Sequence, residues 1–229
     1  MSISDPKPRL GELLGSLYRQ EGVAESMLPL LAANLLIIVI AVAAGWRAAD
    51  VLWIYWGQSV VIGVFNVVRM WNLRRFSTDG LKQNNKPVPE TEAGKRGAAI
   101  FFFFHYGFFH LIYALFLGSM TNGEGSPFEP MVLLCIGLFV LTHGYSWLRT
   151  READEAGKPN LGAVMFLPYA RILPMHFTII FGGLLMGNST LLLILFLLLK
   201  TAADCLMHLV EHAWLRKQAS AEEQGAMVD

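Results

Sequence analysis

Residues 97–118, GAAIFFFFHYGFFHLIYALFLG, decide how this chain is read. No Asp, Glu, Lys or Arg interrupts them. The stretch is long enough for a bilayer core, which takes about 20 apolar residues in helical form. It nevertheless carries His105 and His110. An ionisable ring in hydrocarbon is costly unless it is paired, kept neutral or given a ligand. Working outward, five further apolar runs fall at about 27–46, 51–71, 130–149, 166–187 and 189–212. The remaining histidines, His143, His176, His208 and His212, all lie in these runs too. The pattern predicts an all-α, polytopic bundle of six transmembrane helices with a polar centre.

Composition agrees. The 229 residues are 54% hydrophobic and only 16% charged, where soluble domains carry about 25% charge. Formal net charge is zero, so no basic field points to nucleic acid. Cys135 and Cys205 fall within apolar runs and suggest neither a disulfide framework nor a thiolate zinc site.

Lys and Arg distribution gives the expected orientation. Lys7, Arg9 and Arg19 precede the first run, and Arg74, Arg75, Lys82, Lys86, Lys95 and Arg96 crowd the segment 72–96. Arg149 ends the fourth run, Arg151 and Lys158 follow it, and Arg216 and Lys217 follow the last. The alternate loops carry Arg47 alone. Both termini are therefore expected in the cytoplasm. Residues 1–26 form a cytoplasmic lead-in, not a secretory signal. Leu10, Leu13, Leu14 and Leu17 recur there at helical spacing, which suits an interfacial amphipathic helix or a solvated one. Residues 27–212 form the transmembrane domain, and residues 213–229 read as a disordered cytoplasmic tail.

At ~1.5 Å per helical residue, His105 lies ~12 Å from the cytoplasmic end of its helix, His143 ~9 Å and His176 ~15 Å. Asp204 comes out at ~12 Å and His208 at ~6 Å, with His212 at the interface. Four helices thus bring a histidine to a comparable level. Asp204, His208, Glu211 and His212 also form one helical stripe, able to hold a metal from one side. Nitrogen and oxygen donors suit zinc or iron. The expected ligands are His105, His143, His176 and His208, with Asp204 as ligand or catalytic base. His110, His212, Lys200 and Glu211 would support them by hydrogen bonds. Zinc-bound hydroxide there could attack an ester or amide of a membrane-embedded substrate such as a lipid.

Other readings stay open. Lys200 precedes Asp204 by one turn, so an ion pair accounts for both. His105 and His110 point about 140° apart and cannot both face one centre. A single haem b between facing histidines is an electron-transfer alternative. A non-enzymatic transporter or assembly factor with a packed polar core is another, with Pro168 and Pro174 marking a broken helix. Arg171 and Gln58 are candidates for holding an anionic group such as a lipid phosphate. Any of several tyrosines (55, 106, 113, 145, 169) could supply a proton, and nothing in the sequence selects one.

The Asp204 to His212 stripe is similar to the end of the ceramidase and progestin/adiponectin-receptor superfamily of zinc membrane proteins. This chain differs in its six predicted spans and in lacking an early Ser-x-x-x-His. As a whole it resembles an uncharacterised family of bacterial integral-membrane proteins. That resemblance rests on YWGQSVVIGVFNVVRMW (55–71), RILPMHFTIIFGG (171–183) and the Lys-Thr-x-x-Asp-x-x-x-His of 200–208. It implies a bacterial inner membrane and carries no activity.

Overall fold

The computed structural model describes residues 23–120, 125–182, 190–206 and 209. They are mostly helical: α1 (Val23–Ala43), α2 (Ala48–Asn72), α3 (Glu92–Met120), α4 (Pro130–Ala156), α5 (Leu161–Gly182) and α6 (190–206). A short antiparallel hairpin, β1 (Lys82–Gln83) and β2 (Lys86–Pro87), lies between α2 and α3. The expected lead-in helix before residue 23, the turn at 187–189 and the tail lie outside the described residues.

Among the described residues three helices are long and apolar enough to cross a membrane: Ala48–Asn72, Glu92–Ser119 and Leu161–Phe181. Shorter apolar helices run Asn34–Ala43 and Pro130–Tyr145. On α3, Phe103, Phe104, Phe108, Leu111 and Leu115 are exposed, while Phe102, Tyr106, His110 and Tyr113 are buried. Apolar bulk outside and polar tips inside is the arrangement that lipid contact requires.

The core is organised on α2, which packs against α3, α4 and α5; α3 and α5 also pack on each other. Two glycines cut notches on different faces of α2. A Cβ on Gly57 would lie 2.5 Å from Ile136 of α4, and one on Gly63 would collide with the Tyr106 ring of α3. At about 100° per residue, Ser59 and Gly63 share one face of α2, whereas Gly57 and Phe65 look the other way. α6 closes on this group through Phe196 against Tyr55, ring centroids 5.0 Å apart, and through Lys200, which donates to Asn34 of α1 at 3.3 Å.

One end of the bundle carries an ordered polar cap. The helices extend into it beyond the expected apolar limits. α3 starts at Glu92 and α5 at Leu161, not at 97 and 166, and α4 runs on to Ala156 instead of stopping at 149. Local polar contacts explain the extension. Thr91 caps α3 by accepting from the Gly94 N–H at 3.2 Å, and Asn160 caps α5 by accepting from Ala163 at 2.9 Å. Arg69 clamps Asp154 with two bonds of 2.8 and 2.7 Å, joining the ends of α2 and α4. Buried Lys95 donates to the Leu73 carbonyl at 2.6 Å and to Glu92 at 2.8 Å. Ser77 pairs with Asn160 in a parallel bridge, and Lys158 reaches Glu90 at 2.7 Å. Positive φ at Asn84 (50°) and Asn85 (61°) makes the hairpin turn type I′, the form whose twist matches its strands.

The bond from Lys158 holds the Glu90 carboxyl below the ordinary glutamate value of 4.5, helped by the Thr78 N–H and against some desolvation. A depressed folded-state value adds stability above 4.5 that is lost as pH falls through the lower value. Hydrogen exchange over residues 77–91 should therefore be independent of pH between neutrality and the glutamate range, once intrinsic rates are corrected. Protection should drop below that range, and Glu90→Gln should remove this acid step.

Candidate functional site

The polar side chains inside the bundle fall into separate groups. The most buried lies where α3 crosses Ser59. Buried residues on α3 recur as Phe102, Tyr106, His110, Tyr113 and Leu117, a single stripe at i+3 and i+4 spacing. Gly63 lets this stripe approach, and Ser59 one turn away meets its polar atoms. His110 Nδ1 lies 2.8 Å from the Tyr106 carbonyl, which only accepts, so this nitrogen carries the proton. His110 Nε2 is 3.0 Å from Ser59 Oγ. The Tyr106 hydroxyl donates to the Ser59 carbonyl at 3.0 Å and also lies 3.0 Å from Ser59 Oγ. With no carboxylate in this network, a neutral ring accepting from Ser59 satisfies every atom without burying a charge. The indole N–H of Trp56 takes the His110 carbonyl at 2.8 Å.

His176 of α5 meets Tyr113, Nδ1 to hydroxyl 3.1 Å, and His105 of α3 meets Tyr169 at 2.8 Å. Tyr113 lies two turns beyond His105 on α3, about 12 Å along the axis, so these pairs occupy different levels. His143 bonds its own helix, Nδ1 to the Phe139 carbonyl, at 2.9 Å. It belongs to α4, on the face of α2 opposite Ser59. His105, His143 and His176 are thus not brought to one point. Among the described residues no group of three His, Cys, Asp or Glu side chains is placed to hold a metal.

Asp204 accepts from Lys200 at 2.6 Å, the ion pair that the one-turn spacing allows, and Lys200 also reaches Asn34. His208, Glu211 and His212 lie outside the described residues. Arg171 is exposed and Gln58 half-buried, and no described hydrogen bond joins them. The Arg171 backbone carbonyl instead accepts from the Tyr55 hydroxyl, which lies within electrostatic reach of Asp204.

A cavity of about 440 Å³ opens between the hairpin and the cap ends of α3 and α5. Lys82, Gln83 and Asn84 line its hairpin side; Phe101, Phe166 and the bonded His105–Tyr169 pair line its helical side. His105 stacks on Phe101, ring centroids 5.0 Å apart. Sequence reasoning missed this cavity, although the Asn84-Asn85 pair flanked by Lys82 and Lys86 is a hairpin signal. It also missed Ser59, which reads as an ordinary small residue of an apolar run.

A family model, described as a family of unknown function (DUF6498), matches residues 17–221. The chain belongs to this family. The match takes in every helix described above and the cavity. No curated protein and no solved structure matches the chain.

Two substitutions rank the contacts of the Ser59 network. Ser59→Ala should cost about 1 kcal/mol, as loss of one buried hydrogen bond inside a membrane protein does. Gly63→Ala should cost more, about 1–3 kcal/mol, because the Tyr106 ring must move off α2. Unfolding of the purified chain in mixed micelles measures both, and the order Gly63 above Ser59 is the test.

Proposed function

We propose that this chain is a six-span protein of a bacterial inner membrane, with both termini in the cytoplasm. On this reading it acts in the transporter or assembly-factor class, by binding a small molecule, and its histidines form a packed polar core. One observation carries the reading: each described histidine has its own hydrogen-bond partner. Imidazole bonded to tyrosine, serine or a carbonyl is a stable use of the ring in hydrocarbon. The exposed apolar faces of α1, α3, α4 and α5 suit membrane lipid as the surrounding partner.

The competing proposal is a zinc or iron centre, or one haem b, built on His208 with Asp204. It has a specific support: His105, His143 and His176 all engage Nδ1 and leave Nε2, the nitrogen that metal-bound histidines commonly use. Their separation weighs against a shared ion. Elemental analysis and visible absorbance of the purified chain decide between the two. The packed-core reading expects neither a stoichiometric transition metal nor a Soret band. Stoichiometric metal that disappears in His208→Ala would replace it with the metal reading.

Orientation has its own test, on a background of Cys135→Ala and Cys205→Ala. In oriented membranes, a membrane-impermeant thiol reagent should label Lys86→Cys only from the cytoplasmic side and Phe128→Cys only from the opposite side. Labelling of both from one side would overturn the six-span arrangement.

A further inference from the structure

The cavity beneath the hairpin straddles two solvents. Its hairpin wall belongs to the polar cap, where Glu90, Lys158 and the exposed strands 82–87 face water. Its helical wall lies deeper. Phe101 is nine residues into α3 and Tyr169 eight residues into α5, about 12–14 Å from the start of each helix. An occupant that fills it must be polar at one end and apolar along its length. Ordinary ligand cavities of about 300–1,000 Å³ include this size. The charge at the mouth has one sign: Lys82 lines it, Lys86 pairs with Gln83 across the turn, and no Asp or Glu lines it. Gln83 and Asn84 add amide donors beside Lys82. Below them Phe101, Met165 and Phe166 present apolar surface, and Phe166 is exposed on α5. A molecule lying in the adjoining leaflet therefore reaches the cavity sideways, head towards the hairpin.

We propose that this cavity is a binding site for an anionic single-chain amphiphile drawn from the leaflet that faces the hairpin, with Lys82 on its head group and its chain between Phe101 and Phe166. The His105–Tyr169 pair closes the deep end. The site rests on the reading of the chain as a membrane-embedded binding protein.

Photocrosslinking of the full purified chain in nanodiscs tests it. The probe is a long-chain fatty acid bearing a diazirine on its chain, and adducts are mapped by mass spectrometry. Adducts should concentrate on 98–105 and 165–169. Oleate should compete better than methyl oleate by about fivefold, equivalent to ~1 kcal/mol for one interfacial lysine. Lys82→Gln, an exposed substitution that leaves the core intact, should abolish that preference while adducts persist. Adducts on the exposed face of α1 with none at the cavity would overturn the site and leave the membrane reading standing. Adducts at neither place would remove both. A preference unchanged in Lys82→Gln, or displacement by inorganic phosphate as effective as by oleate, would overturn the amphiphile assignment.

Discussion

The close approach of three helices to α2 is the constraint on which the rest of the structure depends. Lipid tails are as apolar as leucine, so helices in a bilayer gain little from burying apolar area against one another and associate through packing and hydrogen bonds. Small residues then decide where helices meet. Gly57 seats Ile136 of α4 on one face of α2, and Gly63 seats the Tyr106 ring of α3 on the other. The second contact also sets the chemistry. With Tyr106 flat against Gly63, its hydroxyl arrives at Ser59, and His110 follows one turn later to the same serine. A missing side chain thereby positions three polar ones.

Polar satisfaction follows the same economy throughout the bundle. Thr178 and Thr201 return their hydroxyls to carbonyls one turn back, at 2.7 and 2.8 Å, and so need no partner on another helix. The described histidines are distributed, each against a tyrosine, a serine or a carbonyl. Among the described residues Trp53 Nε1 is the single buried side-chain polar atom without a partner. An ion bound by several imidazoles would require rings converging from several helices. Among the described residues the seams instead gather small polar groups, such as Ser59 with Tyr106 and His110, that bond to each other.

The membrane character of the chain was legible in residues 97–118 because length and the absence of charge act locally. The Lys200–Asp204 pair was legible for the same reason: a spacing of four on one helix settles the neighbour. Convergence of histidines was expected from depth alone, and depth is one coordinate of three. His143 has a level comparable to that of His105, yet it belongs to a helix on the other side of α2. Its azimuth depends on which glycine faces which helix, and no periodicity in a single helix encodes that. Arg69 illustrates the same limit. Its partner is Asp154, far along the chain, and nothing local to α2 points to it. The cap was hidden differently. Residues 72–96 read as a loop because they are polar. Their order comes from side chains bonding the backbone of distant turns, as Lys95 does with Leu73 and Asn160 with Asp79.

The two ends of α3 explain why one histidine differs from the rest. Towards the middle of the helix, His110 is enclosed by α2 and bonded at both ring nitrogens, and His176 approaches Tyr113 from α5. At the cap end the hairpin is anchored at its base, where Ser77 pairs with Asn160, Thr78 donates to the Val88 carbonyl, and Pro89 and Leu81 sit close to Gly94 of α3 and Gly162 of α5. The space left under the hairpin takes its apolar floor from Phe101 and Phe166 and its polar rim from Lys82 to Asn84. His105 faces that space because it lies five residues before His110, about 140° around the helix. The rotation that bars the two rings from a common centre gives one of them to the core and the other to the cavity.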